Sequence, residues 1–332
     1  MTKTKMTLHS KFLLVIFGTL LLHTSPGHSN DASTYSIYFK QINQVVVSLS
    51  QSNIYLREDT LYVITTNGTL ASIGLDKPYQ TLTVNTFNNI LNVVDIAFNS
   101  YFAYVAAYDG KINIYDFSQS DRPLKNTIDI HNPVNKIAIS DGLLYCTQRD
   151  AGILSVYDIT NPSFPILKGN QIITGTPNGL FIKNRNAYIA TSTANLMIVN
   201  AADLSRLPIV GNYNFGIEFY DVFVSDNFAY VSQGGTGVQV LNVAATSKPV
   251  WVTNLFSRKF SKQVFVSNYY TYINDDNTIQ AFYNRDPTNQ LIAGSFDNKG
   301  ASINRIYVND GKYVYVSSGD NKLKILEVQY NY

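Results

Sequence analysis

Apolar and polar positions along the chain fall into short alternating runs, not helical stripes, and the runs recur. A tyrosine inside an apolar run returns at Tyr62, Tyr104, Tyr145, Tyr188, Tyr230, Tyr272 and Tyr315, at intervals of 42, 41, 43, 42, 42 and 43 residues. Self-similarity at a fixed period of roughly 20–50 residues marks an architecture of stacked, like units.

Each copy has the same internal order. An apolar strand comes first: NIYL (53–56), DIAF (95–98), KIAI (136–139), GLFI (179–182), DVFV (221–224), QVFV (263–266) and RIYV (305–308). A polar turn such as Ser225-Asp226-Asn227 leads to the tyrosine strand, and a Gly/Asn/Asp turn leads to a third strand, for example INIYD (112–116) or LSVYD (154–158). Alternation over β-branched and aromatic residues is strand chemistry, and tight Gly/Asn/Asp turns suit hairpins. A fourth strand starts near Pro78, Pro123, Pro165, Pro208, Pro249 or Pro287 in six copies. Proline donates no ladder hydrogen bond, so the fourth strand is predicted at the outer edge.

Four antiparallel strands at this period predict an all-β fold, a seven-bladed β-propeller of four-stranded antiparallel blades. The seventh copy stops at its third strand, LKILEV (323–328), while a spare strand, QVVVSLS (44–50), precedes the first copy. That N-terminal strand is predicted to complete the seventh blade and close the ring, removing an exposed edge.

The third strand and the turn after it resemble the LVIVD repeat, a bacterial and archaeal propeller repeat. Leu196-Met197-Ile198-Val199-Asn200 is close to the consensus, and Asp158-Ile159-Thr160-Asn161-Pro162 is similar to the aspartate–Ser/Thr–proline turn that follows it. The resemblance spans about residues 44–328 and implies a propeller in an exported or surface protein without a settled chemistry. Gly74, Tyr283 and Glu327 stand where the closing aspartate is expected, so those turns are expected to be built differently.

The N-terminus changes the charge picture. Lys3, Lys5 and Lys11 flank or precede an apolar stretch, Phe12 to Leu22, and Ser25, Gly27 and Ser29 are small. The pattern predicts a signal peptide over 1–29, too short in its apolar part to span a bilayer. An N-terminal extension (30–43) and the propeller (44–332) follow. The net charge of +2 becomes −1 once the three leader lysines are removed. A near-neutral chain with no basic run carries no electrostatic footprint for nucleic acid, and no membrane span is expected after cleavage. The expected location is secreted, periplasmic or cell surface, as a monomer.

Candidate chemistry is sparse. His9, His23 and His28 fall in the leader, leaving His131 in the loop HNP (131–133); the one cysteine, Cys146, sits in an apolar strand. One His and one Cys do not make a usual zinc set, so no metal site and no catalytic set are assigned. Gly234-Gly235-Thr236-Gly237 opens no helix and reads as a tight turn, not a phosphate loop. Asp275-Asp276-Asn277 and Gly319-Asp320-Asn321 offer oxygen ligands for calcium but lack EF-hand spacing; no cofactor is expected beyond that calcium option. Asn67-Gly68-Thr69 is a glycosylation sequon, relevant only in a eukaryotic secretory pathway.

Two sets of residues stand out by position. Asn53, Asp95, Lys136, Gly179, Asp221, Gln263 and Arg305 each begin an innermost strand and are expected to ring one mouth of the central channel. The apolar residues after them repeat, but these differ, as a ligand or partner site would. The plainer reading has each cap its own strand, pair within the ring or bind channel water. Tyr213, Phe215, Phe219 and Tyr220 crowd the start of the fifth blade and could anchor an interface, stack on sugar or fill the gap between blades. The leading expectation is a non-enzymatic module binding a protein or surface polysaccharide. A propeller hydrolase or lyase at the channel mouth, needing converging Asp95 and Asp221, and a carbohydrate-binding propeller are the alternatives.

Overall fold

The computed structural model describes residues 35–47, 51–193 and 195–331. The leader lies outside the described residues. The described chain forms twenty-eight strands in seven four-stranded antiparallel sheets.

Strand β1 (Ile37–Val46) comes first and is taken up below. Blade 1 is β2 (Gln51–Arg57), β3 (Thr60–Thr65), β4 (Leu70–Gly74) and β5 (Val84–Phe87). Blade 2 is β6 (Val93–Phe98), β7 (Phe102–Ala107), β8 (Lys111–Asp116) and β9 (Leu124–Asp129). Blade 3 is β10 (Val134–Ser140), β11 (Leu143–Gln148), β12 (Ile153–Asp158) and β13 (Ile166–Ile172). Blade 4 is β14 (Pro177–Lys183), β15 (Asn186–Thr191), β16 (Asn195–Asn200) and β17 (Ile209–Asn214). Blade 5 is β18 (Asp221–Ser225), β19 (Phe228–Ser232), β20 (Val238–Asn242) and β21 (Val250–Leu255). Blade 6 is β22 (Ser261–Ser267), β23 (Tyr270–Asp275), β24 (Thr278–Tyr283) and β25 (Leu291–Asp297). Blade 7 is β26 (Ile303–Asn309), β27 (Tyr313–Ser318) and β28 (Lys322–Tyr330), with β1 as its outer strand.

The ring closes as the sequence suggests. β1 runs antiparallel to β28, from Ile37 opposite Tyr330 to Val46 opposite Lys322. The closing strand begins at Ile37, not Gln44, so residues 37–43 of the expected extension lie in the sheet, and Ser48-Leu49-Ser50 lie outside the described residues. In blades 2 to 5 the outer strand starts directly after Pro123, Pro165, Pro208 and Pro249.

The recurrent tyrosines are the centre of the packing. Tyr104, Tyr145, Tyr230 and Tyr272 are among the largest fully buried side chains, and Tyr62, Tyr188 and Tyr315 are buried too. Seven apolar clusters form among the described residues, each shared by two neighbouring blades. One of them joins Ile37 of β1 to blades 6 and 7, and another joins blade 7 to blade 1. A blade buries its second face only against a neighbour, which makes closure part of the core and not a decoration of it.

The aspartate turn after the third strand has a local cause. Asp158 accepts from Thr160 N at 3.1 Å and Thr160 Oγ1 at 2.7 Å, and Asp116 repeats this with Ser118. Asn200 and Asn242 accept the matching amide from Ala202 and Ala244. These are side-chain turns that substitute for backbone pairing. Asn161, Asp203 and Asp286 form a second turn of this kind three residues further on, which blade 6 has with Tyr283 at the closing position.

Candidate functional site at the channel mouth

The innermost strands line a central channel in which successive side chains form layers. The first layer holds the ring foreseen from the sequence: Asn53, Asp95, Lys136, Asp221, Gln263 and Arg305 all line one cavity of about 230 Å³. Gly179 holds the remaining place. A Cβ built on it would lie 2.8 Å from Asp221 Cα and 3.0 Å from Val222 N, so only glycine admits this approach of blades 4 and 5.

Much of the ring is bound to itself. Asp95 is 1% exposed and accepts from Ile137 N of the next blade at 2.8 Å, from Asn53 Nδ2 at 3.1 Å and from the Tyr55 hydroxyl. Lys136 Nζ stands 4.0 Å from Asp95 Oδ1. Gln263 Oε1 likewise accepts from Ile306 N at 2.8 Å, one blade on. Asp95 and Gln263 thus tie their own innermost strands to the next, a job that selects an acceptor without fixing which one.

Burial sets the ionisation of the ring. It pushes the Asp95 carboxyl up, opposed chiefly by the Lys136 charge and the Ile137 amide. Burial also raises Asp221, opposed by Arg305 and then Lys136. Lys136 is lowered by burial and raised by Asp95. Desolvation disfavours each charge and the opposite charges restore it.

The second layer is mostly aromatic. Phe181, Phe223, Phe265 and Tyr307 follow one another round the ring with centroids 4.7, 4.9 and 5.2 Å apart, and Tyr55 occupies the same position in blade 1. Ala97 and Ala138 take that place in blades 2 and 3. The sequence showed this as an aromatic at the third position of five innermost strands, a signal indistinguishable there from ordinary core. Aromatic rings from five blades thus lie beneath the mouth.

The mouth, a bowl of about 490 Å³, is positively charged. Lys136, Arg149, Lys262 and Arg305 line it with Asn53, Asn135, Asn178 and Asn304, and its lining contains no carboxylate. Asp95 and Asp221 belong to the same ring as Lys136 and Arg305 but line the cavity beneath the bowl, two ring acids against four cations. Arg149 is oriented by Asn135, whose Oδ1 accepts from Nη2 at 3.2 Å. At one side Asn178 and the Tyr220 hydroxyl both donate to Glu218, at 3.0 Å each. Arg149 and Lys262 escaped the sequence reading because neither occupies the first position of an innermost strand.

The aromatic candidates separate. Phe219 is fully buried in the cluster between blades 4 and 5. Tyr220, its neighbour, turns to the mouth and meets Phe260 edge-on at 5.1 Å. Tyr213 and Phe215 stack at 6.5 Å near the outer strand of blade 4, with Phe215 exposed. The four do not form one surface.

The other singled-out residues have structural surroundings. His131 is exposed and sits 2.8 Å from Asp129. Cys146 is buried, and burial pushes its thiol up to about 12. Asp275 is buried and accepts from Arg258 N, Lys259 N and Gln280 Nε2 at 2.9, 3.0 and 2.6 Å. Asp320 pairs with Lys322 and Lys324. No group of three or more His, Cys, Asp or Glu that could hold a metal occurs among the described residues. No described helix is long and apolar enough to cross a membrane.

The fold and the ring define a seven-bladed β-propeller. LVIVD repeats are detected in it: the LVIVD repeat family matches residues 128–171, 175–215, 219–255 and 305–328. Blades 1 and 6 and nearly all of blade 2 lie outside those matches. Comparison with curated proteins finds no match. Among solved structures, the chain is similar to the β-propeller domain of Myceliophteria thermophila Cps50 (Swd1), with a TM-score of 0.71 at 10% identity over 88% of this chain and 100% of that one. It is also similar to the computationally designed Ika8 protein, with a TM-score of 0.66 at 11% identity over 85% of this chain and 97% of that one. At such identities the likeness is one of fold alone.

Proposed function

We propose that this propeller is an exported or cell-surface binding module that receives a carboxylate-bearing group of a protein or surface polymer in the cationic mouth of its channel. The observation that carries this is the mouth itself, a bowl lined by Lys136, Arg149, Lys262 and Arg305 with carboxamides between them. Guanidinium and ammonium groups recognise carboxylates by charge-assisted hydrogen bonds, and amides complete such a site without opposing charge. The enzyme alternative needed Asp95 and Asp221 free to face a substrate. Asp95 instead accepts three hydrogen bonds below the mouth, which suits it to holding strands together.

The test compares immobilised polyglutamate, polygalacturonate, neutral dextran and polylysine by surface plasmon resonance. Binding to one or both polyanions, weakening as salt is raised, is the expected result, and the two polyanions separate a protein-like from a polysaccharide partner. Equal response to dextran, or a preference for polylysine, would overturn the proposal.

A further inference from the structure

A second cavity, about 610 Å³, lies away from the mouth, where blades 6 and 7 meet the first and last described residues. Innermost strands start at the mouth, so the turns after β22 and β26 that border this cavity are at the opposite end of the ring. Its wall is dominated by tyrosine. Tyr35 and Tyr283 stack face to face, centroids 4.1 Å apart and planes 9° from parallel. Tyr270 meets Tyr283 edge-on and leans against Tyr330, at 5.6 Å in each case. Tyr269 stands at the turn between β22 and β23 and is 61% exposed.

The wall is built and held. The Tyr330 hydroxyl donates to Gly311 O at 2.6 Å, and the Tyr270 hydroxyl to Tyr35 O at 3.2 Å. Asn268 Nδ2 donates to Asp310 O at 2.8 Å. Gly311 has φ 65°, and a Cβ there would come 2.7 Å from the Tyr330 hydroxyl, so glycine keeps this corner open. Asp310, Lys312 and Asn331 stand exposed at the rim.

We infer that this tyrosine-lined cavity binds a neutral sugar, one or two pyranose rings of a glycan. Its volume falls in the range of small-molecule sites, roughly 300–1,000 Å³. The rim offers one acid, one base and carboxamides, a balanced set that gives no advantage to a charged ligand. The aromatic wall gives none to a fully polar one. A pyranose answers both: its C–H face lies on a tyrosine ring while its hydroxyls meet carboxamide, carboxylate and phenol groups at the edge. The exposed face of Tyr269 is the stacking platform, and Asp310 is the acceptor for sugar hydroxyls.

The inference is separate from the proposal for the mouth and is tested apart from it. The full chain is screened by saturation-transfer NMR against methyl glucoside, methyl mannoside, N-acetylglucosamine and their disaccharides, with a tyrosine-containing peptide as the competing probe. At least one saccharide is expected to bind. Tyr269→Ala should weaken it at least tenfold and Asp310→Asn severalfold, with melting temperatures unchanged because both side chains are exposed. Lys262→Glu, at the mouth, should leave sugar binding as it was. No saccharide signal, saccharide binding that survives both cavity variants, or binding of the peptide alone would overturn the inference.

Discussion

Replacing Asp95 separates the two roles that its position suggests. Its carboxylate is 1% exposed and serves Ile137 N, Asn53 Nδ2 and the Tyr55 hydroxyl, with Lys136 Nζ at 4.0 Å. Asp95→Ala leaves those donors unmet and strands a mostly buried ammonium. Breaking a buried ion pair from one side costs about 3–5 kcal/mol. For a domain of this size each kcal/mol moves the melting temperature by about 2 °C, so a fall of about 6–10 °C is expected. Asp95→Asn keeps an oxygen for the Ile137 amide but loses the charge, at about 1–2 kcal/mol or about 2–4 °C. Asn at this position also removes one of the two acids beneath the four cations, so binding of polyglutamate should tighten while stability falls. Differential scanning calorimetry and isothermal titration read the two effects on the same samples. A melting temperature within about 2 °C of the parent for Asp95→Ala would refute the cross-tie. Loss of polyanion binding in a folded Asp95→Asn protein would refute the view that the acid opposes the anion.

Gly179→Ala pushes a methyl group against the backbone of Asp221 and Val222, so blades 4 and 5 must part; overpacking of this kind costs about 1–3 kcal/mol and calorimetry should show it. Asp158, held down to about 2 first by the Thr160 hydroxyl, titrates below its unfolded value of 3.8. Its contribution is therefore full above that value and lost as pH falls toward about 2. The melting-temperature gap between the parent and Asp158→Ala should shrink over that interval, and a gap independent of pH would contradict it. Cys146, buried with its thiol raised to about 12, should resist thiol reagents in the native protein and react fully on unfolding, as followed by mass spectrometry.

The architecture was legible because the tyrosine strands and hairpin turns repeat, and repetition converts a weak local signal into a strong one. The closing strand was legible too, since blade 7 lacked a fourth strand, but its start was not. A bulge between Gln41 and Asn43 breaks the alternation, so Ile37 to Gln41 do not continue the pattern of the strand after it. The site was legible only where it coincided with the repeat. The ring from Asn53 to Arg305 appeared as non-repeating residues at a repeating position. Arg149 and Lys262 reach the same mouth from positions that no such alignment marks. Phe219 and Tyr220 are adjacent and alike in sequence, yet one is core and the other faces the mouth, because neighbouring side chains in extended chain point opposite ways. The tyrosine cavity could not be foreseen, as Tyr35, Tyr269, Tyr283 and Tyr330 are far apart in sequence and meet only once β1 has paired with β28.

The cationic mouth is tested most directly by reversing charge at its rim, where Arg149 and Lys262 are exposed. Isothermal titration of the parent and of the Arg149→Glu, Lys262→Glu double variant with polyglutamate, at low and at high salt, is the measurement. Two unit charges near a surface interact by roughly 1–4 kcal/mol at contact distance, so the double reversal should weaken binding at least about tenfold at low salt, with a smaller difference at high salt. A folded double variant that binds polyglutamate as tightly as the parent would contradict the account.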